Sequence, residues 1–295
     1  MGTFLGHCLP GGFFLAVGLW HLFSCVVRYA RADGLRYVAK VYHQGPGFLK
    51  FFELYLIILA TLFDIFFELF LSTDFRPLDK HGNIPMSLLN DYEHSAMLFV
   101  FLIFALATLL SESTNLLPLP RGALHGVAGF CFLIEFLLFH FHSANHEGLE
   151  SQVHTLLTIP IFACMALSWL LTWQNGSFLM DLAAAGALVL QGTWFLQVAF
   201  TLFFPGTIPL GCHHEPDAPN GTDGSTTCKD EMATHRAKAI ANLLFTCHVA
   251  VVLMLTLAAF AVANAIYKPK GASYETLVDN EEEGPKDGHV QLSDL

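Results

Sequence analysis

The sequence predicts an all-α integral membrane protein, a bundle of seven transmembrane helices. Three observations support this fold class. Of the 295 residues, 54% are hydrophobic and only 13% are charged. This charged fraction is about half that of a soluble domain. The apolar residues also fall into seven long runs, and each run reaches or approaches the ~20 residues that cross a bilayer as a helix.

The predicted spans are joined by polar connections. The third and fourth spans are the shortest, so six crossings plus one re-entrant segment is the alternative topology. The seven spans cover residues 9–27, 48–71, 95–110, 126–139, 153–173, 180–204 and 239–267. We expect one membrane domain, residues 1–268, and a disordered acidic cytosolic tail, residues 269–295, because the tail has little apolar surface to bury.

The distribution of Lys and Arg predicts the orientation. With the N-terminus lumenal or extracellular, nine of these residues lie on the cytosolic side and five on the other side. Excess positive charge marks cytosolic loops, so the C-terminus is expected in the cytosol. The first apolar run has no basic segment before it and no cleavage site after it, so it is expected to remain as a helix.

The longest outer loop, residues 205–238, carries two features of the secretory pathway. Cys212 and Cys228 form a candidate disulfide, and Asn220 begins a sequon that is a candidate glycosylation site. A second sequon, at Asn175, falls in a tight cytosolic turn and is expected to stay unmodified.

The tail contains a candidate sorting motif. Tyr274 and Leu277 match the tyrosine-x-x-hydrophobic pattern that coat adaptors bind as an extended peptide. Much of the formal net charge of −11 comes from this acidic tail, so the charge says little about partners of the membrane domain. The bilayer itself and a coat adaptor are the expected partners.

Ionisable residues inside the spans are costly in hydrocarbon and therefore indicate interior positions. At 100° per residue, Asp64 and Glu68 lie about 20° and 60° around the second helix from Glu53, on one face. On the fourth helix, His142 and His146 lie within about 20° of Glu135, whereas His140 faces the opposite side and is expected at the membrane interface.

These positions predict a polar pocket in the outer half of the bundle. His7 and His21, on nearly one face of the first helix, are expected only to cap or pack. The pocket candidates are Glu68, His94, Glu135, His142, His154, Gln191 and His248.

Three interpretations of this pocket remain open. Neutral imidazoles and a carboxylate suit Zn²⁺, with His94, His142, His154, His248 and Glu135 as candidate ligands. Alternatively, the group forms a cavity that responds to a proton or a ligand. The third interpretation treats the same residues as interfacial groups and buried structural contacts.

Three segments resemble the transmembrane protein 45 family of polytopic proteins. They are Gly6-His7-Cys8-Leu9-Pro10-Gly11, Gly18-Leu19-Trp20 and LQGTWFLQVAF at 190–200. The positions of His94, Glu135, His142, His154 and His248, and of Glu53 and Glu68, are similar as well. The resemblance covers most of residues 1–268. It implies a seven-span protein of Golgi, endosomal or plasma membranes, with no enzymatic activity to transfer.

We therefore expect a non-enzymatic protein of the secretory and endosomal system. It would act in trafficking, scaffolding or sensing through the polar pocket. A zinc-dependent intramembrane hydrolase is one alternative. A proton-coupled transporter is the other, supported by the aligned acids of the second helix. The sequence has no phosphate-binding loop, nucleophile elbow or nucleic-acid-binding patch, so no nucleic-acid partner is expected.

Overall fold

A computed structural model describes residues 3–32, 37–71, 73–85, 88–144, 147–215 and 224–267. Within these residues the fold is a bundle of seven helices, each long and apolar enough to cross a membrane, the second one together with the π-helical segment Phe67–Leu71 that continues it. This confirms the predicted fold class. The helices are α1 (Phe4–Ala32), α2 (Phe52–Phe66), α3 (Leu89–Ser113), α4 (Ala123–Ala144), α5 (Gly148–Trp173), α6 (Phe178–Phe203) and α7 (Glu231–Tyr267).

Several helices extend beyond the predicted apolar spans because polar side chains cap their first turns. The Asp230 carboxylate accepts a hydrogen bond of 2.7 Å from the amide of Ala233, and α7 begins at Glu231 rather than at residue 239. Ser177 caps α6 in the same way by accepting from Met180. Helices α3 and α4 contain 25 and 22 residues, so a re-entrant segment is not required.

Two short elements were not predicted. The last turn of α2 continues as a π-helical segment, Phe67–Leu71. In the loop after α6, β1 (Cys212–His214) pairs antiparallel with β2 (Thr226–Cys228). The hairpin is joined by a Cys212–Cys228 disulfide. It covers the start of α5, where the Glu150 carboxylate accepts from the amide of Thr226.

The bundle is organised around the contact between α1 and α6. Helix α5 packs against both α4 and α6, and α3 lies between α2 and α4. Helix α7 contacts α1, α5 and α6 but keeps one face outside the bundle, where Leu253, Met254 and Leu257 are exposed. Apolar side chains on such a face suit contact with lipid. The helix satisfies its own backbone hydrogen bonds, as lipid-exposed segments must.

Glycines allow α1 and α6 to touch backbone to backbone. A Cβ added to Gly192 would lie 2.3 Å from the amide nitrogen of Leu15, and one added to Gly18 would lie 2.7 Å from that of Val189. At Gly11 the same addition meets Phe195 at 2.9 Å. Small residues at such positions are the usual device for close helix packing in membranes. Gly192 belongs to the LQGTWF segment, so part of that motif serves packing.

An apolar core lies beside this contact, between α5, α6 and α7. Trp194 is its largest fully buried side chain, and its indole N–H donates to the carbonyl of Val153 at 3.0 Å. The ring packs edge to face on Phe245 of α7. One α6 side chain therefore fixes two neighbouring helices.

Gly192→Ala is expected to destabilise the protein by about 1–3 kcal/mol, because the added methyl group must push two backbones apart. The thermal unfolding midpoint of purified protein in detergent measures this effect. Gly186→Ala, on the same helix, is the matched control, because its Cβ would meet only ordinary contacts of 3.7 Å or more. Equal midpoints for the two variants would contradict the proposed packing role of Gly192.

Candidate functional site

A buried acid organises the end of the bundle at which α1 ends and α2 begins. Glu53 is 6% exposed and accepts hydrogen bonds from three donors. They are the indole N–H of Trp20 at 3.0 Å, the imidazole of His21 at 2.7 Å and the backbone amide of His43 at 2.7 Å. We call these four residues the Glu53 network. It ties α1 and the connection after it to the first turn of α2.

A second polar group lies next to this network. The Arg28 guanidinium contacts the Asp181 carboxylate at 3.0 Å, and the Tyr37 hydroxyl donates to the same carboxylate oxygen. Burial, together with the neighbouring Asp181, raises the pKa of Tyr37, so its hydroxyl keeps the proton that it donates. This trio joins the end of α1 to the start of α6.

Local structure brings both groups to one end. Trp20 and His21 are adjacent on α1 and Arg28 lies about two turns further on, whereas Glu53 and Asp181 lie in the first turns of their helices. Residues 37–46 lie against the same end of the bundle, where the amide of Ala39 donates to the carbonyl of Asn175 at 2.7 Å. Burial lowers the pKa of His43 in this segment, so its ring is neutral against the ring of His21.

A central cavity of about 100 Å³ opens above these polar groups. His125, on α4, is 9% exposed and lines it, and its Nε2 has no hydrogen-bond partner among the described residues. The other polar side chains on its wall are His21, Lys40, Glu53, Ser168 and Asp181. The rest of the wall is apolar and includes Phe13, Phe14, Phe101, Phe104 and Phe132. The cavity thus has a polar end and an apolar body.

Two apolar pockets adjoin the central cavity on the side of α1 and α2. One measures about 380 Å³ and shares Phe13, Val17 and Glu53 with the cavity wall. The other measures about 240 Å³ and shares Phe13, Phe14 and Phe101. We call them the lateral pockets. They extend the apolar body between the two helices.

A histidine pair lies at the opposite end of the bundle. The Nε2 atoms of His7 and His154 are 3.3 Å apart, and both rings are buried. A cavity of about 40 Å³ beside the pair is lined by His94 and Asp64 as well. The structure therefore brings together two predicted pocket residues, His94 and His154, with two residues that were not included in the predicted pocket.

The other predicted pocket residues occupy separate places. Glu135 and Gln191 are fully buried partners, with the Gln191 amide donating to the carboxylate at 2.6 Å. Glu68 is buried in the π-helical segment, close to Asp91. His248 bonds to the carbonyl of Leu244 and packs on Trp194.

Some predictions fall outside the described part of the chain. The side chain of His142, the whole of His146, the sequon at Asn220 and the sorting residues Tyr274 and Leu277 lie there. His140, which is described, is exposed and stacks on Phe136. Among the side chains that the structure describes, no three His, Cys, Asp or Glu groups stand close enough to hold one metal ion.

Aromatic residues separate the two polar ends. Phe14 and Phe101 lie edge to face at 6.0 Å, and Phe101 meets Phe132 in the same way at 5.5 Å. Phe14 and Phe101 line both the central cavity, next to Glu53, and the lateral pocket next to Asp64. Glu53 and Glu68 are buried and Asp64 is half-buried, and among the described residues an aromatic layer lies between Glu53 and Asp64. This arrangement argues against the transporter alternative.

Sequence reasoning missed most of the residues at the α1–α2 end. His21 was expected only to pack, and Arg28, Tyr37, His43, His125 and Asp181 received no role. Most of them lie near the ends of predicted spans, where polar residues are common. The sequence does contain a pattern that could have predicted this group: Arg28 near the end of α1 and Asp181 near the start of α6 have opposite charges and lie on the same side of the membrane.

Comparisons with known proteins agree with this architecture. Residues 121–261, which cover α4 to most of α7, match a family described as "Family of unknown function (DUF716)". The chain is 24% identical over 213 residues to transmembrane epididymal protein 1A of Mus musculus. This alignment covers 70% of this chain and 68% of the mouse protein. It is 25% identical over 214 residues to transmembrane epididymal protein 1 of Rattus norvegicus, with the same coverage. The chain is a multi-pass membrane protein.

Glu53→Ala is expected to lower stability by about 3 kcal/mol, because it leaves three donors, one buried and two partly buried, without their shared acceptor. The unfolding midpoint in detergent measures the loss. Glu231→Ala is the control, because its side chain is 90% exposed, and it should change stability by less than about 0.5 kcal/mol. A Glu53→Ala variant as stable as this control would show that the Glu53 network does not hold α1 to α2.

Proposed function

We propose that the protein is a non-enzymatic sensor or carrier that binds a single-chain amphiphile in the central cavity. The observation that carries this proposal is the lining of the cavity: a polar end, an apolar body, and two neighbouring apolar pockets on the side of α1 and α2 that share wall residues with it. Binding sites for small molecules are typically apolar clefts with a few placed polar groups. An acyl chain suits the lateral pockets, and a head group suits the polar end.

Charge at the polar end favours a head group that accepts hydrogen bonds. The carboxylates of Glu53 and Asp181 already receive donors from the protein. Lys40 and His125 line the same end, and His125 Nε2 has no partner among the described side chains. A buried polar group without a partner costs about 1–3 kcal/mol, so a ligand that bonds to it is favoured. A fatty-acid carboxylate fits both residues.

The orientation with a lumenal or extracellular N-terminus is part of this proposal. The disulfide between Cys212 and Cys228 supports it, because disulfides persist in oxidising compartments. The hairpin lies at the end of the bundle where α1 begins. In this orientation the polar end of the central cavity faces the cytosolic leaflet. A glycan on Asn220 is the expected readout, and a glycan on Asn175 instead would reverse the orientation.

The resemblance to the transmembrane protein 45 family supports residence in Golgi, endosomal or plasma membranes. The DUF716 match and the two transmembrane relatives agree with that resemblance at the level of the wider group. We infer that the tail motif of Tyr274 and Leu277 recruits a coat adaptor and sets the distribution among these membranes.

The cavity is tested with a photoreactive, alkyne-tagged palmitic acid added to membranes that contain the full-length protein. Labelled peptides should come from α1, α2 or α4, and unlabelled palmitate should compete. Val17→Trp should reduce labelling about tenfold, a loss of about 1.4 kcal/mol of binding, because Val17 lines both the central cavity and a lateral pocket and the larger indole would fill space in them.

Leu253→Trp, on the exposed face of α7, is the matched control and should label as the wild type does. Labelling spread evenly over lipid-facing helices would refute the cavity. A tagged sphingosine that labels better than palmitic acid would refute the carboxylate head group.

Tyr274→Ala is expected to shift the steady-state distribution of the protein toward the cell surface, because the adaptor pattern is lost. Surface biotinylation of cells that express the full chain measures this shift. Ser273→Ala, one residue away, should leave the distribution unchanged. If Tyr274→Ala behaves like Ser273→Ala, the tail has no adaptor role.

A further inference from the structure

The wall of the bundle differs between α1 and α2 from the wall elsewhere. Helix α1 packs on α6 and α7, and α2 packs on α3. At one end the Glu53 carboxylate of α2 accepts from Trp20 and His21 of α1. Beyond this end the two lateral pockets lie between the helices, with wall residues from both. The central cavity is therefore separated from the outside of the bundle here by side chains that line pockets.

The larger lateral pocket, of about 380 Å³, reaches the outer surface of the bundle. Its wall includes four exposed residues of α1 and α2, which are Ala16, Trp20, Phe52 and Leu56. Because both helices are membrane spans, the surface that these residues expose faces lipid. Phe13, Val17 and Glu53 line both this pocket and the central cavity. The pocket thus lies between the lipid and the cavity.

A buried histidine lies on the wall of this mostly apolar pocket. His43, in the connection between α1 and α2, is 5% exposed and lines the pocket. Its backbone amide donates to Glu53 at 2.7 Å, which holds the residue at the wall. The Nε2 atom of its ring has no hydrogen-bond partner among the described residues. A buried polar group without a partner is costly, so a ligand atom that bonds to Nε2 in this pocket is favoured.

His125 provides a second such group inside the bundle. It lines the central cavity, and its Nε2 also has no partner among the described side chains. A neutral imidazole that carries its proton on Nε2 donates to a carboxylate. His43 and His125 therefore provide one binding group in the lateral pocket and one in the central cavity. A head group that moves from the first to the second finds a hydrogen bond at both ends of its path.

We propose that a fatty acid enters the central cavity from the bilayer through the larger lateral pocket between α1 and α2, and that His43 binds its carboxylate at this entrance. This inference rests on the proposed function, because it supplies the route to the same cavity. In the proposed orientation the entrance lies at the level of the cytosolic leaflet. The protein thus takes up fatty acid that is dissolved in that leaflet, and the exposed apolar side chains of Phe52 and Leu56 accompany the acyl chain inward.

The test locks the entrance in full-length protein in lipid vesicles. Ala16→Cys and Leu56→Cys place one thiol on each helix at the pocket, and a bifunctional thiol reagent links them. Cys8→Ser and Cys247→Ser remove the native thiols that are not buried. The probe is tagged palmitic acid with its photoreactive group next to the carboxylate. Labelling of α4 that unlabelled palmitate competes reports the central cavity, because α4 lines that cavity and neither lateral pocket.

The order of addition gives the result. Reagent added before the probe should abolish the competed labelling of α4. Reagent added after loading should retain the probe in the cavity during extraction with delipidated albumin, whereas untreated protein loses it. The retention arm separates a closed entrance from a filled binding site, because a reagent that merely fills the site would expel the probe. Leu253→Cys with Leu257→Cys, on the exposed face of α7, is the matched control pair and should change neither uptake nor retention.

The role of His43 is tested by the rate of uptake. His43→Phe should slow the competed labelling of α4 about fivefold, the effect of one lost hydrogen bond, and leave its final extent unchanged. His235→Phe, at a side chain that is 74% exposed, should label at the wild-type rate. Uptake by His43→Phe protein at the wild-type rate would overturn the role of His43 at the entrance.

Failure of the entrance and failure of the proposed function give different results. Untreated protein without competed labelling of α4 would refute the fatty-acid site and the entrance with it. Competed labelling that the verified cross-link neither blocks nor traps would overturn the entrance alone and leave the aqueous end of the cavity as the route. Mass spectrometry of the linked peptides of α1 and α2 verifies the cross-link.

Discussion

The contact between α1 and α6 is the constraint on which the rest of the structure depends. Because Gly11, Gly18 and Gly192 have no Cβ, the two helix backbones meet along about two turns. This contact fixes the rotation of α1 about its axis. One end of the helix then presents Arg28 to Asp181, and the other presents His7 to the ring of Phe203. The positions of both polar groups follow from a packing interface that is itself apolar.

Buried polar groups define how the remaining helices attach. In hydrocarbon, a charged or polar side chain without a partner costs several kcal/mol, so each one selects the arrangement that satisfies it. Glu53 fixes the start of α2 on α1, and Gln191 fixes α6 on α4 through Glu135. Such contacts make the bundle specific, because an apolar interface between helices in lipid gains nothing from the hydrophobic effect.

The sequence predicts the fold class and the helix count well, because span length and hydropathy are set by the thickness of the bilayer. It predicts less of the candidate site. His94 and His154 share a cavity, and Glu135 and Gln191 are partners, yet these are two separate places rather than one pocket. Helical periodicity gives the face on which a residue lies. It does not give the rotation and neighbours of each helix, which decide which faces meet.

Each end of the bundle combines residues of the matched family segment with residues of the helices before it. The segment from 121 to 261 supplies His125, Asp181 and His154, whereas α1 and α2 supply Glu53 and His7. Each candidate site therefore has one wall from either part, and neither wall is complete alone. The aromatic layer of Phe14, Phe101 and Phe132 lies between the two sites. Since α1 is a single helix packed on α6, it contributes residues to both sites, His7 to one and His21 to the other.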